Sequence, residues 1–416
     1  MFDRENRQPH ATALRESSAV RLRATLGLGA GEAVRLLYLP GPGDVQGTFA
    51  HWLEGRDDPG LMNLAYSRMF YDVVEAVEAE ALVACLDPVR HPGSDALRFV
   101  QLRRRAGRGA VGYFAGEAAY AREARQVIRS FAPHVVVAGG DFPQELLAYA
   151  TRGVPRTILS VHNAYGDGVL RGRGPKRRLR RRALRRGLRR IDAAVTVSDL
   201  CRAQVEALTG GMVPVSTFVP QTVTRPPWRE RVAARRFLFA GRIVPEKGVF
   251  DLLDAFAAAS DGRDDLTLAI CGDGGALDAA RERARAAGMR GVELLGKLER
   301  DALSSEYDRC DVVVCPTRPE FFEGLAKPPL EGALTGAPSI VSDVVPAREL
   351  LGRAALSYPA GDVPALAASL RSLVDDPARM RRMSRATRAA CAVQVDPSLS
   401  WGARVLEAML AIAPRR

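Results

Sequence analysis

Two glutamates bracket a predicted helix start in the stretch EGLAKPPLE, residues 323–331. Proline is tolerated in the first helical turn, where its missing N–H would be unpaired anyway, so Pro328 and Pro329 predict that the helix begins there. The preceding loop then lies at the positive end of the helix dipole, which suits a phosphate or sugar hydroxyls. The carboxylates of Glu323 and Glu331 can accept hydrogen bonds from vicinal hydroxyls. Taken alone, they fit equally a surface loop acid and a first-turn glutamate favoured by the dipole.

A pair of cations follows the apolar run FLFA in the sequence FLFAGRIVPEKG. Gly241 ends the run, where backbone can approach a ligand closely, and Arg242 and Lys247 lie on either side of a turn that closes at Gly248. Arginine offers a fork to phosphate oxygens and lysine a point charge, so the pair suits a diphosphate. In isolation the pattern also fits an exposed turn with ordinary surface cations.

Positioning these groups requires a scaffold, and the sequence predicts parallel sheets. Short β-branched or apolar runs alternate with longer segments of helical period in both halves of the chain. Residues 222–230 (TVTRPPWRE) interrupt this alternation before a fresh strand begins at Phe237. We therefore predict an α/β protein of two doubly wound parallel-sheet domains facing across a cleft, residues 1–221 and 222–395. Residues 396–416 are predicted to contain the last helix.

The apolar runs define the expected strands, and ligands of such sheets bind beyond the strands' carboxyl ends. In the first half the predicted strands are residues 35–39, 81–86, 134–138, 156–161, 193–198 and 213–219. In the second half they are residues 237–240, 266–271, 292–295, 311–315 and 339–342. The helices predicted between and after them include residues 61–80, 113–131 and 401–412.

The net charge of +12 comes from one segment of the 416-residue chain. Residues 171–190 contain twelve Arg and Lys and no acid, and subtracting these from the 60 basic residues leaves 48, equal to the 48 acidic ones. Three interpretations are open for this segment: a solvated helix packed on the first domain, a patch for anionic lipid or an acidic acceptor, and a nucleic-acid contact.

Several other classes of site are not predicted. The six cysteines are scattered without a CxxC pair and lie mostly in apolar runs, as expected of reduced core thiols. The paired aspartates (57–58, 264–265 and 375–376) are adjacent and form no Asp-x-Asp motif, so we expect no metal and no cofactor. No apolar run is long enough to span a membrane, and the N-terminal residues lack the apolar core of a secretory signal peptide. We expect a cytoplasmic protein, with peripheral contact at the inner face of the membrane open through residues 171–190.

The order of the motifs carries more information than any one of them. GR-x3-EKG, CGDGG, VELLGKL and E-x7-E follow one another between residues 241 and 331. In this order and at these separations they resemble the retaining family 4 glycosyltransferases of GT-B fold. The resemblance is dense over residues 237–351 and thinner over the N-terminal half. It also implies that the last helix, within residues 396–416, packs back on the first domain.

The resemblance implies roles for individual positions. Arg242 and Lys247 match the cations on the donor diphosphate, Glu323 the acid facing the transferred sugar, and Glu331 the acid that hydrogen-bonds the nucleotide ribose. Other positions are implied to lie around the donor. The pocket glycines are Gly241, Gly272 and Gly296, and the residues that flank the base are Lys297 and Leu298. The loop beside the donor consists of Gly324, Leu325, Ala326 and Lys327. At Leu325 and Ala326 the family commonly has an aromatic residue and a glycine.

In the N-terminal half the matches are positional. The sequence GPGDVQG, which ends at Gly47, follows the first strand, where the family has a glycine-rich loop near the diphosphate. His162 ends a predicted strand, as does a family histidine near the transferred sugar; a strand-end histidine with a local hydrogen bond is the alternative. Residues 47–58 and the following helix are the candidate acceptor surface.

The implied function is a retaining, metal-independent hexosyltransferase that uses a nucleotide-diphosphate sugar, with UDP or GDP expected. The acceptor is a hydroxyl on a glycan, a lipid-linked molecule or a small molecule. A GT-B-like epimerase or phosphorylase is one alternative, although neither well-placed acid–base groups nor a pyridoxal lysine is recognisable. A nucleic-acid-binding protein using residues 171–190 is another; its binding would fall steeply with salt, and we expect no nucleic-acid partner.

Overall fold

The computed structural model describes residues 15–29, 31–105, 107–166, 170, 174–223 and 226–411. The chain divides into two compact units. The first extends to Asp58, resumes from Leu64 to Gln221 and includes the chain from Pro397 onward. The second comprises Pro59–Asn63 and Thr222–Asp396. Residues 59–63, which we assigned to the first domain from the sequence, therefore cluster with the second unit.

The first unit contains a seven-stranded parallel sheet in the order β3-β2-β1-β4-β5-β6-β7. Its central strands are buried along their whole length, as expected when helices cover both faces of a parallel sheet. The strands are β1 (Arg35–Leu39), β2 (Glu80–Cys85), β3 (Leu97–Gln101), β4 (Val135–Gly139), β5 (Arg156–Val161), β6 (Ala193–Thr196) and β7 (Val215–Thr217).

The second unit contains a six-stranded parallel sheet in the order β10-β9-β8-β11-β12-β13. The strands are β8 (Arg236–Ala240), β9 (Thr267–Cys271), β10 (Val292–Gly296), β11 (Val312–Cys315), β12 (Ser339–Ser342) and β13 (Ala355–Tyr358). The order reverses between β1 and β4 in the first sheet and between β8 and β11 in the second. Open parallel sheets bind ligands at such switch points. The predicted α/β class with two doubly wound parallel sheets is confirmed.

The helices connect the parallel strands, and each connecting helix runs back against the strand direction. In chain order they are α1 (Arg15–Leu26), α2 (Val45–Leu53), α3 (Tyr66–Ala76), α4 (Gly109–Phe131), α5 (Gln144–Ala150), α6 (Pro175–Leu188), α7 (Asp199–Thr209), α8 (Val249–Ala259), α9 (Leu277–Ala286), α10 (Arg300–Arg309), α11 (Pro328–Leu334), α12 (Ala347–Leu351), α13 (Val363–Val374), α14 (Pro377–Val393) and α15 (Trp401–Ala411). In the described residues, no helix is long and apolar enough to cross a membrane.

Two parts of the predicted element pattern were wrong. The strands β3 and β13 were not predicted; both lie at sheet edges, where partial exposure replaces the continuous apolar run of a central strand. The helix predicted over residues 61–80 is confined to α3. The chain before it is extended, because Asn63 forms an antiparallel bridge with Thr222, and Glu80 already belongs to β2.

The basic segment forms α6 on the first unit; residues 171–173 of the prediction lie outside the described residues. Leu184 and Leu188 are buried, and Gly187 lies so close to the backbone of α5 that an added Cβ would be 2.5 Å from the Gln144 carbonyl oxygen. Leu179, in the same helix, is 69% exposed. The segment is thus a packed helix that presents cations to solvent.

The six cysteines are free thiols, five of them buried. Burial raises the pKa of each, to about 12 for Cys271 and Cys310 and to about 11 for Cys315 and Cys391. Because thiolate is the reactive form, we expect the native protein to react slowly with Ellman's reagent at pH 7.5 and all six thiols to react in guanidinium. Rapid labelling of several thiols in the native state would contradict this arrangement.

Candidate functional site

The carboxyl ends of β8 and β11 bring two loops into direct contact at the switch point of the second sheet. The loop after β8 turns at Gly248 (φ +74°), where a Cβ would be 1.9 Å from the carbonyl oxygen of Pro316, just after β11. Only glycine allows this approach. The backbone N–H of Arg318 also donates to the carbonyl oxygen of Glu246 at 2.9 Å. The residues that follow each strand are therefore held side by side.

Three of the predicted catalytic residues, Arg242, Lys247 and Glu323, converge around the ring of Phe321. The Lys247 ammonium forms an ion pair with the Glu323 carboxylate and lies 4.3 Å from the ring centroid. The side chains of Lys247 and Glu323 are only 13% and 11% exposed. The guanidinium of the exposed Arg242 lies 5.9 Å from the same centroid. Two cations beside one aromatic face form a positive corner suited to a diphosphate.

Hydrogen bonds from neighbouring residues hold this corner in place. The Thr317 hydroxyl donates to Glu323 at 3.2 Å, and the Ser342 hydroxyl donates to the Thr317 carbonyl oxygen at 2.6 Å. Arg318 makes two hydrogen bonds, of 2.7 and 2.6 Å, to the buried carboxylate of Asp251. Hydrogen bonds that hold charged side chains and their loops in this way preserve the geometry of the site when a ligand binds.

The predicted pocket glycines Gly241, Gly272 and Gly296 lie in a row where β8, β9 and β10 end. The Gly241 N–H donates to the Cys271 carbonyl oxygen at 3.0 Å, and the Gly272 N–H donates to the Gly296 carbonyl oxygen at 2.8 Å. A Cβ on Gly272 (φ +141°) would be 1.8 Å from the Gly241 carbonyl oxygen. This row gives a ligand access to backbone beside the cationic corner. Lys297 follows Gly296 and is exposed.

Leu298 is half-buried and packs against the smaller of the hydrophobic clusters of the second unit, which contains Cys271 and Tyr307. This packing fixes the loop after β10. An exposed cation at Lys297 beside a fixed apolar side chain is compatible with the flank of a nucleotide base.

The predicted helix start at Pro328 is confirmed by α11. In the loop before it, Ala326 has φ +69°, the left-handed region that disfavours residues with a Cβ. The departure from the family glycine at this position therefore places alanine in a strained backbone conformation. Leu325 and Ala326 are 4% and 6% exposed, and no described residue accepts a hydrogen bond from either backbone N–H. Buried N–H groups are normally paired, so these two are candidates to donate to a ligand anion.

Lys327 keeps solvent-exposed surface although protein surrounds much of its side chain. This burial lowers the pKa of its ammonium, and the nearby Glu331 carboxylate opposes the shift. The Glu331 carboxylate thus favours the charged form of Lys327 against the effect of burial. The chain has only four lysines, and three of them, Lys247, Lys297 and Lys327, belong to the candidate site; outside it, arginine supplies the positive side-chain charge except at Lys176.

Glu331 is 8% exposed and has two protein partners. The hydroxyl of Tyr307, in α10, donates to its Oε2 at 2.6 Å, and the side-chain amide of Asn63 donates to its Oε1 at 2.8 Å. Burial and the Glu331 charge raise the pKa of Tyr307 well above its usual range, which keeps the hydroxyl protonated as a donor. A carboxylate has about four acceptor positions, so two remain for hydroxyls of a ligand.

His162 lies in the first unit, one residue after β5, within an aromatic group. Its Nε2 is 2.8 Å from the Ser160 hydroxyl, which itself accepts a 2.7 Å hydrogen bond from the indole N–H of Trp401. The tautomer of His162 decides which of the two atoms, the hydroxyl oxygen or Nε2, donates in this hydrogen bond. The Tyr66 ring covers the imidazole at 4.2 Å. The local hydrogen bond weighed from the sequence is thus present.

Gly47 also lies in the first unit, inside the first turn of α2. Its N–H donates to the carboxylate of Asp44 at 2.9 Å, which caps the helix, and Arg90 pairs with that carboxylate at 3.1 Å. The N–H of Gly47 is therefore not available to a ligand, and the contribution of this glycine is that no side chain blocks a close approach.

The sequence did not indicate Phe321, Tyr307 or Asn63. Phe321 could have been noticed as an aromatic residue two positions before Glu323. Tyr307 and Asn63 carry no signal, since they are 24 and 268 residues from Glu331 in the chain. Across the described part of the chain, no group of three or more His, Cys, Asp and Glu side chains is arranged to hold a metal ion.

Comparison with solved structures defines the fold class. The structure of trehalose-6-phosphate from E. coli bound with UDP-2-fluoro glucose matches with a TM-score of 0.68 and 12% identity, over 92% of this chain and 100% of that one. Anabaena HepE in complex with UDP matches with a TM-score of 0.60 and 14% identity, over 91% and 98% of the two chains. These likenesses show the GT-B fold.

Comparison of sequences gives the family. Residues 66–220 match the glycosyl transferase 4-like domain and residues 221–390 match glycosyl transferases group 1. The glycogen synthase of Mycobacterium tuberculosis is 30% identical over 209 residues, which are 48% of this chain and 50% of that protein. The chain thus spans about half the length of the curated relatives it matches. It belongs to the group 1 glycosyltransferases with a family 4-like N-terminal domain.

Proposed function

We propose that this protein is a retaining hexosyltransferase, which moves a sugar from a nucleotide-diphosphate sugar to an acceptor hydroxyl. The observation that carries the proposal is the convergence of Arg242, Lys247 and Glu323 around Phe321 at the switch point of the second sheet. Membership of the group 1 family and likeness to structures with bound UDP support it.

The roles follow from the charge that develops as the donor bond breaks. Arg242 and Lys247 stabilise the departing diphosphate, together with the N–H groups of Leu325 and Ala326. Glu323 faces the sugar, and Glu331 receives ribose hydroxyls. The other proposed donor contacts are Gly241, Gly272, Gly296, Lys297, Leu298, Gly324, Lys327, His162 and Gly47.

Retention at the anomeric carbon is proposed to follow front-face attack. The acceptor oxygen approaches from the side that the phosphate leaves, and the leaving phosphate oxygen takes the hydroxyl proton. The protein then has to supply orientation and charge stabilisation rather than a covalent nucleophile. We propose that no metal or other cofactor takes part, and that UDP or GDP is the donor nucleotide.

A thermal-shift panel of UDP, GDP, ADP and dTDP sugars tests the donor assignment directly. A ligand at 100 times its Kd stabilises the native state by about 2.7 kcal/mol, so the true donor should give a clear rise in Tm. The rise should persist after dialysis against EDTA. Absence of stabilisation by every sugar would contradict the proposal, and a requirement for added divalent metal would contradict its metal independence.

We further propose that the protein works in the cytoplasm and contacts the inner face of an anionic membrane peripherally. The exposed cations of α6 support this proposal, because a dense positive face is attracted to anionic headgroups.

A further inference from the structure

The start of α4 presents an exposed apolar group that neither the fold nor the donor site uses. Val111 is 85% exposed, Tyr113 51% and Phe114 63%, and the two rings touch at a centroid distance of 5.6 Å. Scattered exposed apolar side chains are normal, but three within four residues form a patch.

Arginines surround this patch. Residues 101–116 contain four arginines and no acid. Arg104 is neutralised by two 2.8 Å hydrogen bonds to Glu117, whereas Arg103, Arg105 and Arg108 are exposed beside the apolar side chains. Cations next to protruding aromatic and aliphatic groups are the composition of interfacial membrane-binding segments.

The patch extends beyond the carboxyl ends of the strands of the first sheet. Tyr120 of α4 packs on Phe142, which lies just beyond the carboxyl end of β4, with ring centroids 5.3 Å apart. Since α4 runs back against the strands, the turns before Tyr120 extend outward, and Val111 lies about 14 Å further along the helix axis. The carboxyl ends of the strands are also where the ligands of a parallel sheet are expected to bind.

The cationic helix α6 lies on the same face of the sheet, separated from α4 by α5. The guanidinium of Arg125, in α4, covers the ring of Tyr149, in α5, at 5.0 Å, and Arg180 of α6 pairs with Glu145 of α5 at 3.0 Å. Both α4 and α6 begin on the side where the preceding strand ends. Within α6, Leu179 is exposed among Lys176, Arg177, Arg178, Arg180 and Arg182.

We propose that the first turns of α4 and the exposed face of α6 form one docking surface for a lipid bilayer that contains anionic phospholipid. The α4 side chains enter the headgroup–acyl boundary, and the arginines and Lys176 contact phosphates. Val111 and Leu179 favour lipid over single-stranded nucleic acid, because an aliphatic side chain has no aromatic face on which a base can stack. This inference deepens the peripheral contact proposed above by naming the inserting element.

Sedimentation of the full chain with vesicles tests the proposal without any donor or acceptor. We expect binding to vesicles of phosphatidylcholine with phosphatidylglycerol and little binding to phosphatidylcholine alone. V111S/Y113S/F114S and R177E/R178E should each weaken the apparent partition at least about tenfold, and added salt should weaken binding by the wild type. Matched controls in the second unit, V232S and R353E/R381E, remove exposed side chains of the same kind and should bind like the wild type.

The assay has three outcomes that overturn the surface. Wild-type protein that ignores anionic vesicles excludes a bilayer partner. Apolar and charge variants that bind like the wild type exclude this surface. Loss of binding to a single-stranded RNA in the same variants, with no vesicle binding, reassigns the patch to nucleic acid. Unchanged Tm of the variants ensures that a loss reflects the surface, and a normal thermal shift with donor keeps the result separate from the catalytic assignment.

Discussion

Replacing Lys247 by alanine is expected to lower turnover at least about tenfold, a loss of about 1.4 kcal/mol or more of transition-state stabilisation. The reason is electrostatic: the largely buried ammonium beside Phe321 is one of two cations at the position proposed for the diphosphate, whose charge grows as the sugar leaves. The measurement is kcat and kcat/KM for the donor identified by thermal shift. Arg381, exposed on α14, provides a matched control, and R381A should retain wild-type turnover.

The ion pair with Glu323 makes stability a competing explanation. Removing one partner of a buried pair leaves the other charge uncompensated and costs about 3 kcal/mol of folding free energy. The double variant K247A/E323Q removes the stranded charge, so it should recover much of the lost Tm. Because the diphosphate contact is still missing, turnover should stay low. Recovery of turnover together with Tm would reduce Lys247 to a structural residue.

Lys247→Arg separates charge from shape. Arginine keeps the positive charge, but its head group is planar and larger. The Lys247 side chain is only 13% exposed and lies between an aromatic ring and a carboxylate, which leaves little room for a larger group. We expect the arginine variant to recover part of the diphosphate affinity and less of kcat. Because the chain has only four lysines, this variant tests directly why lysine is present here.

The scaffold of the candidate site was predictable because its physical causes are local. Buried central strands such as β4 and β11 are uninterrupted apolar runs, and two prolines fix where α11 begins. The positions of Arg242 and Lys247 beyond a strand end follow from the same reasoning. Two edge strands, β3 and β13, escaped prediction because their half-exposed residues lack such a run, whereas the other two edge strands, β7 and β10, were predicted.

The partners of these residues were not predictable because they are set by tertiary packing. Neither Tyr307 nor Asn63 stands in a motif, and Asn63 reaches Glu331 only because residues 59–63 cluster with the second unit. The left-handed backbone of Ala326 was also hidden, since alanine gives no sequence signal for positive φ. The sequence therefore indicated which acids belong to the candidate site but not which residues surround them.

Replacing Glu331 by alanine is the second change expected to lower turnover at least about tenfold. Its carboxylate is oriented by Tyr307 and Asn63, with two acceptor positions left for the ribose. We expect kcat/KM to fall further than kcat, because the ribose contact is made both before and during the reaction and its loss also raises KM. Unchanged turnover in both E331A and K247A would sink the site assignment.

The ribose contact itself can be isolated with a nucleotide that lacks one hydroxyl. Wild-type protein should bind the preferred nucleoside diphosphate more tightly than its 2′-deoxy form, and E331A should bind the two alike, since the residue that distinguishes them is gone. Y307F leaves the acid in place but removes the 2.6 Å hydrogen bond that orients it, so we expect a smaller rise in KM with kcat largely kept. E331A also strands the buried Tyr307 hydroxyl at a cost of about 1–3 kcal/mol, which E331A/Y307F should relieve without restoring discrimination. A purely structural role for Glu331 predicts the reverse, namely that the double variant regains discrimination together with stability.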